Sequence, residues 1–498
     1  MIVPFLYVTI MSTMMKTAMM IHTDHSDSSS FSFIVLSDWH NAENFALRPY
    51  NNKNNLGISS SSSSSSNAMK LSIIQYIQQT HGGDFVLIPG DVNVGHWDTP
   101  SFVSKFHKTF GHNNNINKNN YTTSQIVQQA GINCYTSMKH LFQQGGYDTI
   151  HMAVGDHELG DNPWLASTHH TQLIQEYRHA FQQVMNRHPR TKEFIYSTPI
   201  GTVPSRPIGT LFENTSYAYR HKNILLITID VFAFTTSSSD NYINRTTGCG
   251  GDGVIIGAVQ DTHLPWFESI LQQAREDTTI KHVLVQGHLP ILQPVRKINS
   301  STMSICRSEE SEFFQMMQKY HVDIYFAGEV HTNTVLQDTT TPSSNLIQVV
   351  SRGNGFNNFI VVHVTDTQIN MTLYNEVGTK AKYNQQYEWF GSLSIDKTPP
   401  MEGQEYQPQE QEYHPPRIES KGQLEIVNIQ HPLLYFDFEE IIPLGQRVVL
   451  GLDHDWAHKT LVQREMTIRE VTCTHAMINH GSFGREWNYI YIHIFILD

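Results

Sequence analysis

The sequence contains few cysteines, and their spacing excludes two kinds of protein. The four cysteines are far apart and form no CxxC pair: Cys134, Cys249, Cys306 and Cys473. A zinc finger needs closely spaced ligand pairs, so that class is excluded. Four cysteines in 498 residues are also too few for a disulfide framework. The sequence leaves two alternatives for Cys249 and Cys306, which are a disulfide between them or two free thiols.

Basic residues are also scarce relative to acidic ones. Lys and Arg number 33 against 46 Asp and Glu, which leaves a formal net charge of −13. A broad nucleic-acid surface needs clustered Lys and Arg to neutralise phosphates. The charge balance therefore argues against nucleic acid as a partner, and the scattered basic residues form no polybasic membrane patch.

The sequence has no clear membrane segment. The apolar run from Ile2 to Ile10 is too short to span a bilayer. A secretory signal has a basic n-region and a small-residue cleavage site, and neither is clear here. We expect residues 1–30 to be a flexible or targeting N-terminus. A weak signal leaves a secreted or endomembrane location open beside a cytoplasmic one.

The sequence does contain metal-binding residue types directly after short apolar runs. Such runs, bounded by Gly and polar residues, are typical of buried strands. The runs are Phe31 to Leu36, Phe85 to Ile88, Ile150 to Val154, His282 to Val285 and Val322 to Phe326. The strings that follow them are Asp38-Trp39-His40, Gly90-Asp91, Gly155-Asp156-His157-Glu158, Gly287-His288 and Gly328-Glu329-Val330-His331.

The order and placement of these strings matter more than any one of them. With 28 His in the chain, an Asp-x-His triplet is expected by chance, and Asp261-Thr262-His263 is a second one. In open α/β sheets, however, ligands collect at the carboxyl ends of strands. Five strand ends that carry oxygen and nitrogen donors therefore predict one shared metal centre.

In order and context, the strings resemble the motifs of the calcineurin-like metallophosphoesterase superfamily. The family pattern is Asp-x-His, Gly-Asp, Gly-Asn-His-Glu or Asp, Gly-His and Gly-His-x-His, and the resemblance covers about residues 31 to 365. It implies a hydrolase of small-molecule phosphoesters, in which two divalent ions (Mn, Fe, Zn or Mg) activate a hydroxide. The metal ligands it implies are Asp38, His40, Asp91, Asp156, His288, Glu329 and His331, with Asp91 bridging the two ions and His157 as the catalytic residue.

Two ligand positions depart from the family pattern, and both fall on the second metal. Asp156 stands where the family has Asn, and Glu329 stands where it has the first His of Gly-His-x-His. The ligand set then holds four carboxylates instead of two, so the centre becomes nearly neutral. This composition favours a harder, oxygen-preferring ion at the second site. Val94 also replaces the Tyr of purple acid phosphatases, so we expect no ferric-tyrosinate site.

The predicted fold is α/β (α+β), a four-layer αββα sandwich of two mixed β-sheets with a small β-rich C-terminal extension. We expect the catalytic domain to span residues 31–385, with polar inserts at 51–67 and 112–120. The Pro-, Gln- and Glu-rich segment 386–417 is interpreted as a linker, and residues 418–498 as a β-rich C-terminal region.

Two other functional classes stay open. The first is a catalytically weak or inactive metal-binding scaffold, if Asp156 and Glu329 reflect decay of the second site. The second is a protein-interaction module whose working part is the C-terminal region. Three further polar residues are interpreted as structural and are left out of the site: Asp230 as a strand-end turn residue, His96 as a solvated loop residue and Arg352 as a surface residue.

Overall fold

The computed structural model describes most of the chain between residues 30 and 398 and several short segments after it. The described residues are 30–40, 45–47, 63–110, 121–160, 168–188, 191–234, 255–259, 263–292, 305, 311–339, 346–353, 358–376, 387–398, 416–424, 426–429, 447–452, 462–467 and 494–496. Of the four cysteines, only buried Cys134 falls within them, and it is a free thiol. The suggested Cys249–Cys306 pair and the N-terminal segment lie outside the described residues.

Helices occupy the segments between the early strands and precede the later ones. They are α1 (Ser63–His81), α2 (Pro100–Phe110), α3 (Thr123–Gln144), α4 (Thr168–Val184), α5 (His263–Glu276) and α6 (Glu312–Lys319), with a 3-10 turn at His157–Leu159. Helix α1 begins inside the serine run, so Ser63 to Ser66 of the predicted insert are helical. Within the described residues, no helix combines the length and apolar character that crossing a bilayer requires.

Within the described residues, the strands assemble into two large sheets and two small ones. In chain order they are β1 (Phe31–Val35), β2 (Val86–Ile88), β3 (Ile150–Met152), β4 (Tyr217–His221), β5 (Ile224–Thr228), β6 (Phe232–Phe234), β7 (Ile255–Gly257), β8 (His282–Gln286), β9 (Ile324–Ala327), β10 (Thr334–Asp338), β11 (Ile347–Val350), β12 (Asn358–Val364), β13 (Gln368–Glu376), β14 (Tyr387–Asp396), β15 (Arg417–Gly422), β16 (Ile426–Ile429), β17 (Arg447–Leu452), β18 (Val462–Thr467) and β19 (Ile494–Ile496).

Both large sheets are mixed. The first has the order β15-β14-β13-β12-β1-β2-β3, in which β1, β2 and β3 run parallel and the other neighbours are antiparallel. The second has the order β16-β10-β11-β9-β8-β5-β4, with a parallel centre from β11 to β5. The predicted sandwich of two mixed sheets is confirmed.

Successive residues of the central strands pack into different apolar clusters, and these clusters form the layers of the sandwich. On β1, Phe33 and Val35 belong to the apolar cluster between the sheets, whereas Ile34 belongs to the cluster under the helices. Successive side chains of a strand point to opposite faces, so a strand covered on both faces must be apolar throughout. On the outer face of the second sheet, Phe313 of α6 contacts Phe267 of α5 and Tyr325 of β9.

Strand β14 lies within the segment that was interpreted as a linker. It pairs with β13 along its length, and Gly391, Leu393 and Ile395 are buried at every second position. This period of two, rather than the composition of the flanking residues, determines the structure of the segment. Residues 399–415 lie outside the described residues, and the division into domains stays a prediction.

The two short strands that follow, β15 and β16, belong to the large sheets. Strand β15 pairs with β14 at the edge of the first sheet, and β16 pairs with β10 at the edge of the second. The C-terminal region itself contributes a three-stranded sheet of the order β18-β17-β19. A truncation meant to remove only this three-stranded sheet must therefore be placed after Ile429 rather than at the predicted boundary of residue 418.

Candidate metal centre

Five strand ends meet at one edge of the sandwich. Strands β1, β2 and β3 of the first sheet, and β8 and β9 of the second, all run toward it and are followed by the predicted ligands. Three groups of potential ligands form there, and within each group the donor atoms lie within 4.8 Å of one another. The groups are Asp38, His40 and His331; His40, Asp91 and His157; and Asp91, Asp156, His288 and Glu329. All seven predicted ligands and His157 are therefore brought together.

The first group, Asp38, His40 and His331, forms a histidine-rich position. Nε2 of His331 lies 3.2 Å from Oδ1 of Asp38, and Nε2 of His40 lies 3.1 Å from Nε2 of His331. The two imidazoles retain 15% and 13% exposure while Asp38 has none. This position therefore borders the solvent.

The group of Asp91, Asp156, His288 and Glu329 forms a carboxylate-rich position. Nε2 of His288 lies 3.3 Å from a carboxylate oxygen of each of the other three residues. Nδ1–H of His288 donates to the carbonyl oxygen of Pro89 at 2.7 Å, because a carbonyl can only accept. That bond directs Nε2 toward the carboxylates and makes it the nitrogen available to a metal.

Asp91 joins the two positions. Its Oδ2 lies 3.3 Å from Nε2 of His288 and 3.9 Å from Nε2 of His40. Gly155 makes this placement feasible, since a Cβ there would clash with Oδ1 of Asp91. A carboxylate shared in this way is what two neighbouring cations need between them.

The electrostatics of the carboxylate-rich position favour a positive charge at its centre. Burial and the neighbouring charge of Asp156 raise the pKa of Asp91 well above its usual value, and they also raise the pKa of Glu329. Burial opposes the charge of His288, but its carboxylate neighbours raise its pKa well above the usual value. Buried carboxylates at these distances repel one another unless a cation lies among them.

The donors of the centre have the properties of metal ligands. Among the described residues, the buried Oδ2 of Asp38 forms no hydrogen bond, although buried polar atoms usually do, and Oδ1 of Asp156 faces Nε2 of His288 at 3.3 Å. Burial, together with the charges of His157 and His331, lowers the pKa of His40 to about 3. His40 is therefore neutral at pH 7, which is the form that binds a metal. The residues present fit a two-metal centre with oxygen and nitrogen ligands.

His157 lies beside both positions. Its Nε2 is 3.8 Å from Oδ2 of Asp91, and its ring centroid is 4.9 Å from that of His40. Nδ1–H donates to the carbonyl oxygen of Val94 at 3.1 Å. The imidazole is thus oriented with Nε2 toward the centre, where it can meet a bound ligand.

The backbone of the centre adopts a conformation that the sequence did not reveal. Five predicted ligands have positive φ values: 48° for Asp38, 44° for His40, 57° for Asp91, 69° for Glu329 and 52° for His331. Non-glycine residues in this region are strained by about 1 kcal/mol or more each. Such outliers concentrate at functional sites, where the surrounding structure holds them in place.

Glu158 is a residue of the centre to which the sequence analysis gave no role. Its buried carboxylate accepts hydrogen bonds from the backbone N–H groups of Asp91 at 2.8 Å, Val92 at 3.1 Å and Gly155 at 2.9 Å. It also accepts one from Nδ2 of Asn93 at 2.6 Å. Glu158 therefore ties the end of β2 to the end of β3 and holds the backbone of the shared ligand. A carboxylate directly after His157 in the motif was the available signal.

Replacing Glu158 with Gln is expected to lower the free energy of unfolding by about 3 kcal/mol, because an amide group then faces buried N–H donors. Urea denaturation of the full chain measures the change. Glu193→Gln, at an exposed loop position, serves as the control and should change stability by less than about 0.5 kcal/mol. Equal effects of the two substitutions would contradict the role of Glu158.

Lys70 of α1 supports the loop between Asp38 and His40. Its Nζ donates to the carbonyl oxygen of Trp39 at 3.1 Å and lies 4.7 Å from the centroid of the Trp39 ring. Trp39 is fully buried and packs against Phe142 of α3. The helices on the outer face of the first sheet therefore anchor the histidine-rich position.

The interpretation of Asp230 as a turn residue was incomplete. Asp230 is fully buried after β5, and its Oδ2 lies 2.9 Å from Nη1 of Arg178 of α4, which is 2% exposed. Burial raises the pKa of Asp230 despite this partner. The pair connects α4 to the segment that leads into Phe232, whose ring lies 6.3 Å from that of His288. Sequence patterns rarely reveal a buried Arg, so the ion pair of Asp230 with Arg178 was not predicted.

The other two residues left out of the site, His96 and Arg352, are both exposed. His96 is exposed, has a φ of 59°, and its ring centroid lies 6.3 Å from that of His157. It therefore lies at the edge of the centre, closer than a solvated loop residue was expected to be. Arg352 is exposed, and its backbone N–H donates to Oδ1 of Asn333 at 2.8 Å.

Comparison with known proteins gives distant similarities of structure only. No family model matches the chain, and neither does any curated protein sequence. A dimetal phosphatase from Danio rerio is 12% identical with a TM-score of 0.40, over 74% of this chain and 99% of that one. A purple acid phosphatase from yellow lupin (Lupinus luteus) is 12% identical with a TM-score of 0.39, over 74% and 54% of the two chains. PhoD is 12% identical with a TM-score of 0.39, over 74% and 70%.

The order of the site residues along the chain resembles the motif order of the calcineurin-like metallophosphoesterases. The function is inferred from the side chains of the centre.

Proposed function

We propose that the protein is a metal-dependent hydrolase of phosphoric esters. The observation that supports this most strongly is the meeting of two donor groups at a shared Asp91, with His157 beside them. The proposed metal ligands are Asp38, His40, Asp91, Asp156, His288, Glu329 and His331, and the proposed catalytic residue is His157. Two divalent cations bound there would polarise the phosphoryl oxygens and lower the pKa of a water molecule.

The chain's own residues perform the remaining tasks. Nδ1–H of His157 is engaged by the carbonyl oxygen of Val94, so a second proton is carried on Nε2. In that form Nε2–H donates to the phosphoryl group or to the oxygen of the leaving alcohol, and it passes its proton to that oxygen as the ester bond breaks. Glu158 holds the backbone of Asp91, and Lys70 holds the backbone of Trp39 between the ligands Asp38 and His40.

A metal-binding scaffold without catalysis is the second candidate, and the departures at Asp156 and Glu329 favour it. Against it, both side chains retain coordinating oxygens and point at His288. The two candidates separate in one experiment on the full chain. After removal of metal by a chelator, hydrolysis of p-nitrophenyl esters is measured before and after Mn2+, Zn2+, Mg2+ or Fe is added. Restored turnover supports the hydrolase. Binding of metal without turnover of any ester supports the scaffold.

The charge of the centre predicts a preference for diesters over monoesters. Four carboxylates balance the charge of two divalent cations, so the centre attracts a phosphate dianion weakly. We expect kcat/KM for bis-p-nitrophenyl phosphate to exceed that for p-nitrophenyl phosphate by roughly tenfold or more. Similar values for the two esters would count against this substrate class.

A further inference from the structure

The two positions of the centre differ in donor chemistry. The histidine-rich position offers two imidazoles and the carboxylate of Asp38, whereas the carboxylate-rich position offers three carboxylates and the imidazole of His288. We propose that the positions select different cations, a borderline ion such as Zn2+ at the histidine-rich position and a hard ion such as Mn2+ at the carboxylate-rich position. The side chains of Asp156 and Glu329 determine this difference in cation selectivity. The proposal rests on the proposed function only in requiring that metal is bound.

Ligand preference supports this assignment. Imidazole nitrogen suits Zn2+, whereas carboxylate oxygen suits Mn2+ and other hard cations. Zn2+ binds most sites more tightly than Mn2+, so a chain that selects Mn2+ must do so through the type and number of its ligands. The difference between the two positions is therefore expected as a ratio of affinities rather than as exclusion of Zn2+.

Burial strengthens the preference at the carboxylate-rich position. Asp156 is 2% exposed, His288 is fully buried and Glu329 is 10% exposed. A cation at this depth loses most of its water, so the carboxylate oxygens must replace that hydration. The histidine-rich position borders the solvent and leaves a cation free to retain water.

The metal-binding atom at position 329 can be changed by substitution without disturbing the backbone. Its backbone N–H donates to Oδ1 of Asp38 at 3.0 Å, and its side chain reaches toward His288. A Glu329→His substitution therefore changes the donor and leaves the backbone contact in place. Asp156→Asn keeps the side-chain shape and removes one negative charge.

Element-specific anomalous scattering tests the proposal in crystals of the full chain. Metal-free protein is loaded with about one equivalent of Zn2+ and then with excess Mn2+, and data are collected at both absorption edges. We expect Zn near His40 and His331, and Mn near Asp156 and Glu329. Both elements at both positions, or the reverse assignment, would overturn the proposal.

Competition between the two ions in solution measures the contribution of the two residues. Mn2+ and Zn2+ retained by the full chain after equilibrium dialysis are quantified by mass spectrometry. The Asp156→Asn/Glu329→His variant is expected to retain at least about tenfold less Mn2+ relative to Zn2+ than the unmodified chain. Asp277→Asn is the matched control, because Asp277 is exposed and pairs with Arg220 rather than with a residue of the centre. It should leave the ratio of bound Mn2+ to bound Zn2+ unchanged.

These measurements do not depend on turnover. The proposed metal selectivity and the proposed hydrolase activity can therefore each be contradicted without contradicting the other. Ions located as expected without hydrolysis of any ester would support the selectivity and contradict the hydrolase. Metal-dependent hydrolysis with no preference between the positions would contradict the selectivity alone. Failure of Mn2+ or of Zn2+ to bind would overturn the selectivity, and failure of every divalent ion to bind would overturn both proposals.

Discussion

Replacing His157 with Ala is expected to lower kcat by roughly 10²- to 10⁴-fold. The imidazole lies 3.8 Å from the shared Asp91 and is oriented by the carbonyl oxygen of Val94, so its loss removes the proton donor without removing a proposed metal ligand. Turnover and bound metal are measured on the same sample. We expect the metal content to stay within about a fifth of that of the unmodified chain.

An exposed histidine of α4 provides the control for this substitution. His179→Ala changes the same side chain at a solvent-facing position and should leave kcat unchanged. If His157→Ala retained full activity, or if it lost activity only in proportion to lost metal, His157 would not be the catalytic residue.

Asp91→Asn is expected to have the largest effect of any single substitution. The carboxylate contacts both positions, through His288 at 3.3 Å and His40 at 3.9 Å, so its neutralisation weakens both. Asn accepts a positive φ better than most residues, and the backbone at Asp91 should therefore keep its conformation. We expect bound metal to fall to about one ion per chain or fewer. Turnover should fall by at least roughly 10³-fold, since metal binding supplies several kcal/mol of transition-state stabilisation.

Asp148→Asn is the matched substitution at an exposed position and should change neither quantity. A thermal unfolding measurement of both metal-free variants separates loss of ligand from loss of fold. If Asp91→Asn bound metal as the unmodified chain does, Asp91 would not be shared between the two positions.

Local patterns predicted the central strands well because both faces of those strands are buried. The run Phe31 to Leu36 became β1 (Phe31–Val35), and His282 to Val285 became β8 (His282–Gln286). Parallel strands end at the same edge of a sheet. The prediction that donor residues follow the strand ends was therefore enough to place eight residues in one site. Asp156 and Glu329, although they depart from the family pattern, point into the same cluster as His288.

The features that the sequence did not reveal depend on contacts between distant segments. Arg178 and Asp230 form a buried ion pair across 52 positions, and no local period marks either residue. The positive φ values of five ligands fall at non-glycine residues, so no glycine in the sequence marks those positions. Strand β14 was missed for a different reason, because its alternation of buried Leu393 and Ile395 lies next to a polar, proline-rich segment that dominated its interpretation.

Titrations of the metal-free full chain with Mn2+, with Zn2+ and with an equimolar mixture of the two test the central claim most directly, with turnover of bis-p-nitrophenyl phosphate followed at each addition. Asp91 joins two donor groups, so with the mixture turnover should rise until about two equivalents of metal per chain are bound and then level off. Saturation at one equivalent in all three titrations, or metal binding with no turnover at any ratio, would contradict a two-metal phosphoesterase.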